Sequence, residues 1–169
     1  LKKCRLIVRC GVGYDNVDIQ AAKELNIPVA NIPDYGTEEV ADAAIGLSLD
    51  LLRKISFLNR HLQRSRDDWH YQVALPIRRL RGLKCGVVGC GRIGTAFAVR
   101  AKALGLEVQF YDPDLPDGYD KAIGVDRCDT LEELLESSDL VSLHCPLTET
   151  TRETVSYTHL RAHETQSDL

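Results

Sequence analysis

Methionine is absent from the 169 residues, and tryptophan occurs once. A complete translated chain opens with Met, so one that begins Leu1-Lys2-Lys3 and never uses Met reads as a piece of a longer protein. No run approaches the ~20 apolar residues of a membrane helix, and the N-terminus lacks the apolar core of a signal peptide. No membrane partner is expected, and the cytoplasm is the expected setting. Long basic runs are also missing. Beyond Arg78-Arg79-Leu80-Arg81 both signs are interspersed and the net charge is −4, which disfavours direct nucleic-acid binding. The six cysteines, at 4, 10, 85, 90, 128 and 145, form no C-x-x-C pair. Several lie in apolar runs, so buried free thiols of a reducing compartment are expected rather than disulfides. No internal repeat or low-complexity tract is present. What remains, 44% apolar and 27% charged, is the composition of an ordinary globular protein of about one domain.

Short β-branched runs alternate with helical patterns along the chain. Residues 5–10 predict a strand closed by the turn Gly11-Val12-Gly13. A helix follows over 16–25, ended by Asn26, and then a second strand over 27–32. From Thr37, with Glu38 and Glu39 suited to a helix N-terminus, apolar positions Val40, Ala44, Leu47, Leu51, Ile55 and Leu58 keep one face to about Gln63. That spacing predicts a single helix of roughly 25 residues, about 38 Å long, enough to span two lobes or meet a partner chain. Residues 64–83, around Trp69, read as a surface connection. Beyond them come a strand over 84–88, a helix over 92–104, a strand over 107–111, a short helix over 130–137 capped by Thr130, and a strand over 140–144. The alternation predicts an α/β fold with a doubly wound parallel sheet.

Gly89-Cys90-Gly91-Arg92-Ile93-Gly94 fits G-x-G-x-x-G. The pattern alone is weak, but here a strand precedes it, a helix follows it, and a second strand ends in Asp112, 18 residues beyond Gly94. The three glycines serve different ends. The first permits the tight turn, the second lets a pyrophosphate approach the backbone, and the third lets helix and strand pack closely. The helix N-terminus offers unpaired N–H groups to the phosphates. Asp112 stands where a carboxylate can accept hydrogen bonds from adenosine ribose hydroxyls and repel a 2′-phosphate, so NAD is expected rather than NADP. The competing accounts are an exposed Asp capping Pro113 after a merely tight turn, and a site for S-adenosylmethionine.

The runs Arg9-Cys10-Gly11-Val12-Gly13-Tyr14-Asp15-Asn16-Val17-Asp18, Gly89 to Gly94, Tyr111-Asp112-Pro113 and Leu143-His144-Cys145-Pro146-Leu147-Thr148 resemble the D-isomer-specific 2-hydroxyacid dehydrogenases. The likeness is strongest to the branch holding the C-terminal-binding-protein co-repressors and enzymes similar to phosphoglycerate dehydrogenase and glyoxylate reductase. It implies a Rossmann-like NAD domain, the end of a flavodoxin-like substrate domain, and a homodimer. By resemblance, Arg9, Gly11, Val12 and Gly13 hold the carboxylate of a small 2-keto or 2-hydroxy acid; for Arg9 the competing account is a surface charge at a strand edge. Val12, Gly89, Gly91, Arg92, Ile93, Gly94, Asp112, Cys145 and Pro146 face the cofactor. His144 matches a strand-end position, not the family's catalytic histidine.

The resemblance further implies that the catalytic arginine, glutamate and histidine have no matching positions in this chain, which by itself is expected to lack turnover. The expected divisions are the substrate-domain end over 1–36, the inter-lobe helix over 37–66, the first half of the NAD domain over 67–156, and a tail over 157–169 that departs from the family pattern, as an adapter or frameshift would. In the tail His159 and His163 lie four apart, but Leu160 stands where a zinc hydrolase needs Glu, so no metal site is expected. The leading expectation is a fragment of an NAD-dependent oxidoreductase that reduces 2-keto acids. The alternative is an NAD-responsive co-repressor or scaffold.

Overall fold

The computed structural model describes residues 3–64 and 70–154. Trp69 and the tail with His159 and His163 lie outside the described residues. The chain divides into two compact units, one of residues up to Thr37 together with those from Pro146, the other Glu38–Cys145.

The first unit is built on a parallel pair, β1 (Ile7–Arg9) and β2 (Val29–Asn31), joined through α1 (Ile19–Glu24) with Ile7 opposite Val29 and Arg9 opposite Asn31. Asp18 starts α1: its Oδ1 accepts the Ala21 amide at 2.8 Å, satisfying one of the helix's orphan donors. Asn26 ends it in the left-handed region, at φ 52°, a conformation Asn tolerates better than most residues. The Ile27 amide then reaches back to the Ala22 carbonyl at 2.8 Å. Ala22 and Ile27 are buried, whereas Leu6 and Val8 stay more than half exposed. In residues 146–154, the Thr151 hydroxyl donates to the Pro146 carbonyl at 2.6 Å.

The second unit opens with α2 (Thr37–Arg53) and α3 (Ile55–Arg64), then a 3-10 turn over Tyr71–Ala74. The single helix expected over 37–63 is therefore two helices. Lys54 takes φ 55° between them, and the Asp50 carboxylate accepts the Ser56 amide, which caps α3 and holds the Asp50 carboxyl below its ordinary value. Thr37 is the first helical residue, and its hydroxyl donates to Asp34 Oδ1 at 2.7 Å. The apolar stripe visible in the sequence packs inward only in part, through Ala44. Ala41, Ala44, Ile45 and Leu52 meet the core, while Val40, Leu47, Leu51 and Ile55 are exposed.

The remaining elements alternate: β3 (Lys84–Val88), α4 (Arg92–Ala103), β4 (Glu107–Tyr111), α5 (Tyr119–Ile123), β5 (Asp126–Arg127), α6 (Leu131–Ser137) and β6 (Leu140–Leu143). The four strands form one parallel sheet in the order β5-β4-β3-β6. Central β3 carries Cys85, Val87 and Val88 into a core completed by Phe97, Ala98, Ala101, Leu106, Val108 and Phe110. Such continuously buried strands are what a sheet covered on both faces requires. Arg100 of α4 pairs with Glu38 and Asp42 of α2, and Arg78 with Asp139. All six cysteines are free thiols, with Cys85, Cys90 and Cys128 buried. Desolvation pushes Cys85 up to about 12 and Cys128 up to about 11, so neither is a thiolate near neutrality.

Candidate functional site

The glycine turn follows directly from β3 and feeds α4. Gly89 has φ 85°, which only glycine adopts without cost. A Cβ there would also lie 2.6 Å from the Cys145 amide nitrogen. Gly94, on the first turn of α4, is buried against the same loop, and a Cβ on it would lie 2.0 Å from the Gly89 carbonyl oxygen. The first and third glycines are thus required by the protein itself. Gly91 is different. Its φ is −69°, and a Cβ on it would meet nothing within 4 Å among the described residues, so no contact there calls for a glycine. Gly46 shares that openness, but it sits in mid-helix with no helix end beside it.

Gly91 is the N-cap of α4, and no side chain among the described residues caps the helix. The first-turn amides, including those of Arg92 and Ile93, therefore have no acceptor within the helix, and the end of the helix carries partial positive charge. Arg92 is exposed beside them. The first intrahelical bond of the turn runs from the Thr95 amide to the Gly91 carbonyl at 2.9 Å.

Asp112 closes the site at the end of β4. Its Oδ2 accepts the Cys90 amide at 2.8 Å and its Oδ1 the Asp114 amide at 3.0 Å. Each carboxylate oxygen keeps one further acceptor position. The acid is thus brought to the glycine turn and held there. Thr95, which no sequence motif singles out, locks the turn from below. Its hydroxyl donates to the Cys90 carbonyl at 2.8 Å, and so accepts from the Tyr119 hydroxyl, also at 2.8 Å. Burial, opposed by the Thr95 hydroxyl and reinforced by the Asp112 charge, pushes the Cys90 thiol up. The donor set fits a dinucleotide: a helix N-terminus open at Gly91, and a fixed carboxylate across from it.

At the end of β6, the Cys145 backbone packs on Gly89. His144 donates its amide to the Val88 carbonyl at 2.8 Å, places Nε2 2.9 Å from the Ser142 hydroxyl, and lays its ring 5.1 Å from that of Phe97. Burial lowers its pKa from 6.5.

Of the residues singled out from the sequence, Gly89, Gly91, Arg92, Ile93, Gly94, Asp112 and Cys145 belong to the second unit, while Arg9, Gly11, Val12, Gly13 and Pro146 belong to the first. Within the first unit, the Arg9 guanidinium folds over Gly11, in the space a Cβ there would fill, and donates to the Cys10 carbonyl at 3.3 Å. Asn31, likewise unmarked by any motif, donates to the Val12 carbonyl at 2.7 Å. The Ile32 amide donates to the Gly11 carbonyl at 3.3 Å. The loop Gly11–Gly13 is therefore tied to the end of β2.

No helix among the described residues is long and apolar enough to cross a membrane, and no three potential ligands among them cluster to hold a metal ion.

Comparison with known proteins agrees with this geometry. C-terminal-binding protein 1 of Caenorhabditis elegans is 39% identical over 95% of this chain and 23% of its own length. Glyoxylate reductase of Korarchaeum cryptofilum is 38% identical over 94% of this chain and 48% of its own. The chain thus spans about half or less of the curated relatives it matches. The structure of D-lactate dehydrogenase from Aquifex aeolicus, complexed with NAD and lactic acid, superimposes with a TM-score of 0.78 at 33% identity, over 87% of this chain and 43% of that one. The family model for the NAD-binding domain of D-isomer-specific 2-hydroxyacid dehydrogenases matches residues 45–167, most of the segment 157–169 included. The chain belongs to the D-isomer-specific 2-hydroxyacid dehydrogenase family and carries its NAD-binding domain.

Proposed function

We propose that the protein at full length is an NAD-dependent oxidoreductase acting on the CH–OH group of D-2-hydroxy acids, with a 2-keto acid, NADH and a proton as the products of oxidation. The observation that carries the reading is Gly91: a glycine with no steric reason among the described residues, at an uncapped helix N-terminus, facing a carboxylate fixed by two amides. In this proposal the pyrophosphate rests on the turn from Gly89 to Gly94, with the amides of Arg92 and Ile93 and the Arg92 charge turned to it. Asp112 accepts from the adenosine ribose hydroxyls and disfavours a 2′-phosphate. Cys145, Pro146 and Val12 line the cofactor. The bound NAD supplies the hydride acceptor. The Gly11–Gly13 amides and Arg9 hold the substrate carboxylate, a role to which a guanidinium's paired donors are suited.

The test is turnover. The full-length protein should reduce NAD with at least one of a panel of D-2-hydroxy acids, glycerate, glycolate and lactate included, and should prefer NAD to NADP. Failure with every member of the panel would remove the enzymatic reading. The 39% identity to C-terminal-binding protein 1 favours a second reading, an NAD-responsive co-repressor or scaffold. Retention of the full-length protein on an immobilised Pro-x-Asp-Leu-Ser peptide, without turnover, would select it. In either reading we propose a cytoplasmic homodimer whose second copy covers the exposed Leu47, Leu51 and Ile55; a monomer in sedimentation at micromolar concentration would exclude it.

A further inference from the structure

The loop that presents Asp112 runs through Pro113, Asp114, Leu115 and Pro116. Two of its residues are prolines, without amide donors; the Tyr119 amide reaches the Pro116 carbonyl at 3.3 Å, and the Asp112 and Leu115 carbonyls take donors from elsewhere in the chain. Arg127 supplies them. This residue lies on β5, in register with Phe110 of β4, with its guanidinium 6.0 Å from the Phe110 ring centroid. Nη2 donates to the Asp112 carbonyl at 2.8 Å and to the Leu115 carbonyl at 3.1 Å. Nη1 donates to the Pro116 carbonyl at 3.3 Å. Among the described residues Arg127 forms no ion pair. Its charge is spent on carbonyl dipoles from a single loop.

The two sets of bonds act on opposite ends of the same residue. The Asp112 carboxylate is aimed by the Cys90 and Asp114 amides, while its carbonyl is pulled toward β5 by Arg127. We propose that Arg127 is a positioning residue for the dinucleotide: by fixing the loop over 112–116 it sets the direction in which Asp112 meets the ribose, and with it the discrimination against a 2′-phosphate. The inference rests on the assignment of Asp112 to the ribose. A planar fork that serves three carbonyls is a geometry lysine's single point of charge cannot reproduce, so the residue type is part of the claim.

The experiment is a double-mutant cycle on the full-length protein, with NAD and NADP titrated by calorimetry into the wild type and into Asp112→Ala, Arg127→Met, Arg127→Lys and the Asp112→Ala/Arg127→Met pair. Arg127→Met should raise the Kd for NAD roughly tenfold and narrow the preference for NAD over NADP, while in the Asp112→Ala background it should add less than about twofold, because coupled residues fail to add. Arg127→Lys should fall between wild type and Arg127→Met. If Arg127→Met does not fold, Arg127→Lys in both backgrounds carries the same comparison. Equal effects in the two backgrounds, or no effect in either, overturn the role of Arg127 while leaving Asp112 in place. An Asp112→Ala variant that binds NAD as tightly as wild type overturns the ribose assignment, and the role of Arg127 with it.

Discussion

The chain uses one local device twice, and the two copies differ in how they treat a helix N-terminus. In both units a strand runs into a glycine turn, a helix crosses over, and a parallel strand returns: β1, Gly11–Gly13, α1 and β2 in the first, β3, Gly89–Gly94, α4 and β4 in the second. In the first, Asp18 accepts the Ala21 amide, so the helix satisfies its own end and its field is met by an internal carboxylate. In the second, Gly91 caps nothing and no side chain among the described residues substitutes. Depth differs as well, since the second turn buries its own Cys90 fully beside Phe97 and Val87, while in β1 no residue is fully buried. A strand, a glycine turn and a helix do not by themselves make an anion site. In the proposed site the uncapped end on a rigid base is what makes the difference.

The sharpest break in this comparison is steric. Gly94→Ala would place a methyl against the Gly89 backbone, which cannot yield as a flexible side chain would; the expected loss is about 2–3 kcal/mol, read by denaturant unfolding. The equivalent change in the first unit, Gly13→Ala, meets only Asp15 Oδ1 at 3.2 Å and should cost less than about 0.5 kcal/mol. Similar losses at the two sites would contradict the contrast. Asp18→Ala, which uncaps α1, should cost about 1 kcal/mol and leave NAD affinity untouched; a weakened NAD titration would show that the first helix end serves the cofactor too.

The smallest expected effect is a pH dependence confined to one unit. The His144 pKa is lowered by burial, so the folded state resists a proton that the unfolded state accepts. Its stabilising contribution is present above 6.5 and falls as pH drops below that value toward the folded pKa. The first unit has no described histidine. Asp139 titrates lower: burial raises it, but the Lys84 amide and Arg78 outweigh that and hold it below 3.8. Its contribution survives until more acidic pH. His144→Gln should therefore flatten the loss of stability on going from about pH 7 to about pH 5, and an unchanged slope would assign that loss to other groups.

Where signals are local, the sequence is readable. The strand over 84–88, the strand over 107–111 and the start of α4 at Arg92 stand where the pattern puts them, because a buried parallel strand and a glycine turn announce themselves within a few residues. Thr130 caps α6 by accepting the Glu133 amide at 3.1 Å, again a contact three residues long. The break at Lys54 is invisible to periodicity, since one left-handed residue hardly disturbs apolar spacing on either side. So too is the choice of face on α2, which depends on where α4 lies. β5 is two polar residues, Asp126 and Arg127, with no β-branched signal. α5, five residues between left-handed Gly118 and Gly124, is too short to show an apolar period and is not among the helices expected from the sequence. In the site, the identities of Gly89, Gly94 and Asp112 are legible from spacing. The bond from the Cys90 amide to Asp112 and the bracing by Arg127 are not, because each joins residues distant in sequence.

The most direct test of the central claim is the NAD affinity of Gly91→Ala in the full-length protein, measured by calorimetry beside its unfolding midpoint. Since the added methyl meets nothing among the described residues, the midpoint should stay within about 2 °C of wild type, while a methyl where the backbone amides face the pyrophosphate should weaken NAD by about tenfold or more. Wild-type NAD affinity at an unchanged midpoint would contradict the account, since the open helix end would then have no ligand to explain it.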